Sequence, residues 1–181
     1  MINRQMSFPL DDEGFFRREC PLCCREFKVL LKEDELGQLA QCRIDDFLVE
    51  QGVQQHSNDE EEDEDAQEHF CPYCGQSAPR DHWWTQEQLA YVHVIAKNIM
   101  ADLVNEHLIR PLKRSMGHGS VIRFEGKEMN KVEEWISPEG SDMTVVDLPC
   151  CQRQAKVADD WKGEVHCFFC GFSHQTRENS H

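Results

Sequence analysis

Two stretches of the chain repeat their apolar residues with the period of a helix. Between 33 and 51, Leu36, Leu39, Ala40, Ile44, Phe47 and Leu48 recur every three or four positions, and Gly52 stands where the pattern stops. Between 85 and 110 the pattern is longer. Leu89, Val92, Ala96, Ile99, Met100 and Leu103 share one face, while Glu87, Asn98, Asp102 and Asn105 take the other. Thr85 followed by Gln88 predicts a capping box at its start, and Pro111 predicts its end or a kink. A helix of about 25 residues is about 38 Å long, which calls for packing on other parts of the chain or on a second copy. Shorter apolar runs predict strands at 27–31, 121–124 and 143–146. Residues 1–14 read as a loose lead-in, and Ser137-Pro138-Glu139-Gly140 as a turn.

Composition narrows what these elements can build. The chain has 181 residues, 39% hydrophobic and 29% charged, enough for a modest core in one or two small domains. No apolar run reaches the length of a membrane span or of a signal-peptide core, so the expected location is cytoplasmic. Ten cysteines exceed what such a core needs, and in a reducing compartment Cys-x-x-Cys pairs point to metal ligation over disulfides. The net charge of −15 is uneven. Residues 1–109 carry 9 Lys+Arg against 23 Asp+Glu, or −14, and residues 110–181 carry 10 against 11, or −1. Much of the acidity lies in Asp59-Glu60-Glu61-Glu62-Asp63-Glu64-Asp65, a block that repels itself and predicts a disordered insertion over about 53–68. Such a charge opposes phosphate backbones as a whole. A locally acid-free run with Arg110, Lys113, Arg114 and Arg123 is the candidate nucleic-acid contact, set against the plain reading of cations near a helix C-terminus.

The chemistry concentrates in the cysteines. Cys20-Pro21-Leu22-Cys23 and Cys71-Pro72-Tyr73-Cys74-Gly75 supply two thiolate pairs, and Cys167-Phe168-Phe169-Cys170-Gly171 echoes the second of them. Two thiolates three residues apart can turn back on one metal, and zinc takes four such ligands in a tetrahedron. At these residues the chain resembles the zinc-ribbon or rubredoxin-knuckle class, over about 20 residues of motif in each half. The resemblance implies knuckle, strand, insertion, strand, knuckle, used twice. The expected fold is therefore α+β, with two small zinc-ribbon-like β units joined by a long amphipathic helix. The expected domains are 1–84 with its acidic insertion, a linking helix over 85–116, and 117–181.

The first expected zinc site is Cys20, Cys23, Cys71 and Cys74, joined across an insertion whose closure costs little because loop entropy grows only logarithmically. The second has Cys150, Cys167 and Cys170, with Cys151 or His174 weighed equally as the fourth ligand and Asp147 and His166 behind them. In the repeat register Asp147 falls where the first thiolate should be. The expected cofactor is one or two Zn2+ per chain.

Other residues read as structural. Cys42 is taken as a small buried hydrophobe, His93 and His107 as core or interface histidines, and Trp83-Trp84 as an anchor of the long helix. No His-x-Glu element precedes a Pro-Cys-x-x-Cys, and no Gly-x-Ser-x-Gly is present, so no catalytic residue is assigned. The leading functional expectation is a non-enzymatic zinc-binding adaptor, with a protein partner or a second copy engaging the helix and ribbon edges. The alternatives are a nucleic-acid-binding accessory protein whose acidic loop masks its basic residues, and a zinc hydrolase at the irregular second site.

Overall fold

The computed structural model describes residues 8–31, 33–52, 68–115 and 126–175. The acidic block, the strand expected at 121–124, Arg123 and the first seven residues of the lead-in lie outside them. The fold is mixed, with small antiparallel sheets and one long helix. In order the elements are β1 (Phe16–Glu19), β2 (Glu26–Val29), α1 (Glu33–Glu50), β3 (Glu68–Phe70) and β4 (Ser77–Pro79), then α2 (Gln86–Val104) and α3 (Arg110–Ser115). The last four are β5 (Met143–Leu148), β6 (Arg153–Ala158), β7 (Val165–His166) and β8 (Ser173–His174). Among the described residues no helix is long and apolar enough to cross a membrane.

The chain divides into two compact units, residues 1–39, 58–89 and 136–181 in one and residues 40–57 and 90–135 in the other. Among the described residues the first unit carries every strand. Its central sheet runs β1-β2-β6-β5, so the two cysteine-bearing hairpins share one sheet, joined where Lys28 faces Lys156 and Val29 faces Ala155. The smaller pairs β3-β4 and β7-β8 lie outside that sheet. Phe27, Trp83 and Phe168 form an aromatic trio at the centre of the core, with ring centroids 5.4–5.8 Å apart. Trp83 and Trp84 are both buried. Thr85 and Gln88 cap α2 reciprocally, each backbone N–H donating to the other's side-chain oxygen at 3.0 and 3.2 Å.

Charges are buried in this unit as well. Lys28 and Lys156 face each other across β2 and β6, and both are enclosed. Like charges directly opposite in a sheet repel. A buried carboxylate, Asp11, lies within 2.7 Å of the Lys156 ammonium and 3.5 Å of the Lys28 ammonium through Oδ2, while its Oδ1 accepts the backbone N–H of Phe15 and Glu13. Glu13, Glu139, Asp142 and the Gly140 carbonyl complete the shell around the two lysines, and Arg17 holds Glu26, Glu139 and Asp142 beside them. Burial opposes the charge on Asp142, but Lys28 and Arg17 outweigh it and hold that carboxyl down to about 2. Arg18 is the opposite case. It is fully buried over the rings of Phe16 and Trp84, donates from Nη2 to the Arg80 carbonyl, and leaves Nε and Nη1 without partners. Burial, with help from Arg80, pulls its guanidinium down to about 9.

In the second unit the apolar stripe of α2 is buried at Val92, Ile95, Ala96 and Ala101, and that of α1 at Ala40, Ile44 and Leu48. Two expectations fail here. Asn98 and Asn105, placed on the solvent face by periodicity, are buried because the irregular segment over 126–135 crosses them. Each asparagine grips the backbone of one residue with both ends of its amide. Asn98 donates to the Val132 carbonyl and accepts its N–H, both at 2.8 Å, and Asn105 does the same with Met129 at 2.9 and 2.8 Å. Seven helical residues rise about 10.5 Å, and three extended residues span about 10 Å, so the two spacings match. Cys42, taken as buried, is exposed. His93 and His107 are exposed as well, which excludes the core alternative of their reading and leaves the interface one, with the His93 ring 5.2 Å from that of Phe47. Pro111, expected to end or kink the helix, does not end it. A π-helical turn at Asn105–Ile109 precedes it and the chain stays helical to Ser115. The wider turn accommodates a residue that lacks an N–H and crowds the carbonyl four residues back.

Candidate metal centres

The first centre is built by two knuckles. β1 leads into Cys20, whose N–H bonds the Arg25 carbonyl, and the Cys24 N–H returns to the Cys20 carbonyl at 2.9 Å. The turn points the backbone N–H groups of Leu22 and Cys23 at the Cys20 sulfur, both at 3.4 Å. Between β3 and β4 the pattern repeats, with the Gly75 N–H on the Cys71 carbonyl and the Tyr73 N–H on the Cys71 sulfur. The residue after the second cysteine needs a left-handed backbone, with φ +56° at Cys24 and +68° at Gly75. The four sulfurs of Cys20, Cys23, Cys71 and Cys74 lie within 4.8 Å of one another, and two of the separations are 3.9 and 3.6 Å. A tetrahedral zinc–thiolate centre with bonds of about 2.3 Å has sulfur–sulfur edges of about 3.8 Å. The donor set and its dimensions fit such an ion. Burial pushes the Cys71 and Cys23 thiols up. At Cys20 burial is outweighed by the Cys23 and Leu22 amides, which hold that thiol below its ordinary value. Crowded sulfurs of this kind resist joint ionisation, and a divalent cation at their centre relieves that opposition.

The second centre gathers Cys150, Cys151, Cys167 and Cys170, again within 4.8 Å of one another. The β7-β8 knuckle matches the others, with the Gly171 N–H on the Cys167 carbonyl at 2.8 Å and φ +74° at Gly171. The β5-β6 turn differs. Its left-handed residue is Gln152, at φ +53°, and the Cys151 N–H bonds the Leu148 carbonyl. Leu148-Pro149-Cys150-Cys151-Gln152 therefore lies on Cys20-Pro21-Leu22-Cys23-Cys24, one residue from the alignment read in the sequence. Buried Leu148 occupies the place of the first thiolate, and Cys150 the place of Leu22. Asp147, displaced from that slot, sits exposed in β5 and accepts a bond from the Gln154 side chain. His174 Nε2 lies 3.1 Å from the Cys150 sulfur, and the Cys170 sulfur lies 3.6 Å from it. Burial, then the neighbouring Cys167 and Cys170 sulfurs, push the Cys150 thiol up to about 12, and Cys170 above all raises Cys151 to about 11. The Phe172 amide lowers Cys170.

The centres are related to each other through their glycine knuckles. The Phe70 N–H bonds the Phe168 carbonyl and the His166 N–H bonds the Pro72 carbonyl, each at 2.9 Å. Phe70 and His166 are the residues just before the two knuckles, so the exchange is reciprocal. A Cβ on Gly171 would stand 2.8 Å from the Phe70 ring, and one on Gly75 would stand 3.0 Å from the His166 ring. His166 is thereby spent on packing the first knuckle and lies outside the second quartet. Of the basic residues, Arg110 meets Glu106 and Glu128, Lys113 meets Glu128, and Arg114 is exposed. The Asp11 network and the Asn98–Asn105 grip were not foreseen. Lysines inside strands were their only signal in the first case, and nothing in the sequence announced the second.

No known family model, curated protein or solved structure matches the chain.

Proposed function

We propose that the protein is a non-enzymatic zinc-binding adaptor, in which two zinc ions fix a small scaffold that presents edges and apolar tips to a partner. The observation that carries the reading is the pair of cysteine quartets, each with four sulfurs within 4.8 Å. Four thiolates close the tetrahedron of a structural zinc, whereas a catalytic zinc keeps three protein ligands and an open position. A zinc hydrolase at the second site is disfavoured by the same count. Free thiols in both quartets suit a reducing compartment such as the cytoplasm.

The partner surface falls on the first unit. β5 ends the strand order, and its outer edge has no backbone partner among the described residues. Such an edge is a template for a further strand. Leu22 and Phe172, beside the knuckles, are each 61% exposed. A second copy meeting the 85–110 helix remains part of the proposal, although the face bearing Asn98 and Asn105 already holds the 126–135 segment. The nucleic-acid alternative is weakened because Arg110 and Lys113 are engaged by carboxylates and Lys156 is buried against Asp11. Size-exclusion chromatography with light scattering, and capture of proteins on the immobilised zinc-loaded chain, test the adaptor reading. A dimer lost on substituting β5 edge residues, or a partner whose retention requires them, supports it. A strict monomer that retains nothing overturns it.

A further inference from the structure

The two centres are not equivalent, and the difference lies in how each sulfur is held. In the regular knuckles the first cysteine is clamped by backbone amides, as Cys20 is by Leu22 and Cys23, and Cys71 by Tyr73. In the β5-β6 turn Leu148 fills that slot, so the sulfur comes from two positions further on, at Cys150, directly beside Cys151. The equivalent position in the first knuckle is Leu22, which points into solvent. Cys150 is correspondingly exposed and has no amide clamp among the described residues. Besides the other sulfurs of the quartet, among them Cys170 at 3.6 Å, it meets His174 Nε2 at 3.1 Å. His174 is fixed by strand pairing with Val165 and by the Phe172 ring, whose centroid lies 5.0 Å away. His174 Nε2 lies outside the sulfur quartet but beside the place Cys150 holds in it, a fifth donor at the edge of a centre that needs four. At the first quartet the sulfurs meet only one another and backbone amides among the described residues.

We propose that the second centre holds zinc with either of two donors, and that His174 replaces Cys150 so that Cys150 serves as a modifiable thiol on a still-loaded site. The inference rests on the zinc reading above. In the exchange the zinc–sulfur bond to Cys150 breaks and a zinc–nitrogen bond forms from the Nε2 lone pair of the imidazole, whose proton sits on Nδ1. The released thiolate keeps its electron pair and takes a proton from water, and nothing is oxidised or reduced. Cys151, Cys167 and Cys170 stay bound, leaving a three-sulfur, one-nitrogen tetrahedron of a kind zinc accepts. The chemical class that Cys150 would meet is a soft electrophile, which reacts with exposed thiols and thiolates and not with thiols buried in a core.

Limited alkylation of the native zinc-loaded chain with iodoacetamide, read by peptide mapping and by native mass spectrometry, tests this without any variant. Cys150 is expected to react at least severalfold faster than the other seven quartet cysteines, with both zinc ions retained. Loss of one zinc in step with Cys150 alkylation, or faster reaction at Cys151 or Cys170, overturns the proposal. Variants give the second readout. Cys150→Ala should hold two Co2+ per chain with its absorption bands moved to shorter wavelength, as nitrogen replaces sulfur. Cys150→Ala/His174→Ala and Cys167→Ala should each hold one. A wild-type chain that binds two ions beside a Cys150→Ala chain that binds one refutes this inference alone, whereas a wild-type chain that does not bind two refutes the zinc reading beneath it.

Discussion

Substituting Asp11→Asn tests whether the two cysteine hairpins are joined by charge as well as by strand pairing. The exchange is nearly isosteric. Oδ1 still accepts the backbone N–H of Phe15 and Glu13, while the Oδ2 that faced the two lysines becomes an amide. What is lost is one negative charge between two enclosed ammonium groups. Removing one partner of a buried ion pair costs about 3–5 kcal/mol, because a charge is left behind without compensation. Lys28 keeps Asp142 at 2.9 Å and Glu139 at 3.3 Å, so the lower end applies to it. Among the described carboxylates Lys156 keeps Glu13, whose side chain is largely exposed, beside the Phe15 ring 4.6 Å away. For a chain of this size each kcal/mol moves the midpoint by about 2–4 °C, so a fall of about 6–20 °C is expected. Circular dichroism melts with saturating zinc measure it. The double variant Asp11→Asn/Lys156→Met removes the stranded cation and should recover at least half of the loss. A single-variant loss under about 1 kcal/mol, or a double variant weaker than the single, refutes the reasoning.

Other consequences follow from the same geometry. Arg18→Met removes a buried guanidinium with two unpartnered nitrogens and should leave stability unchanged or raise it by up to about 4 kcal/mol; a loss above about 1 kcal/mol in denaturant unfolding would contradict it. The Asp142 carboxyl titrates lower in the folded protein than in the unfolded chain, so its contribution is present above about pH 4 and is lost as pH falls toward about 2. Asp142 is half exposed, which limits that contribution to about 1 kcal/mol, and the wild type should lose its advantage over Asp142→Asn across that interval. A chelator should strip the second centre first, since Cys150 and Cys170 are exposed whereas Cys20 and Cys71 are buried; a single-phase loss of two ions would count against this order.

The helices were the most legible part of the sequence, because a 3.6-residue period survives wherever one face is buried. Thr85 and Gln88 marked the start of α2 correctly for a local reason: the capping box uses only residues three apart. At the far end Pro111 left an end and a kink open, and the end is excluded because a π turn accommodates the proline within a continuing helix. Asn98 and Asn105 misled because periodicity sees polarity and not a segment that arrives thirty residues later to use it. The cysteine quartets were visible as spacing, but the sequence register went astray by one. Adjacent Cys150 and Cys151 offered two alignments, and only the left-handed backbone at Gln152 decides between them. The Lys28–Asp11–Lys156 cluster joins residues up to 145 apart, and lysines inside strands are its only local trace.

Elemental analysis of the purified chain, paired with native mass spectrometry, reaches the centre of this account. Two zinc ions per chain are predicted, both bound through thiolates, and the fold of the first unit is lost once a strong chelator has extracted them. One ion or none per chain, or a fold that persists unchanged after both quartets are emptied, would contradict it.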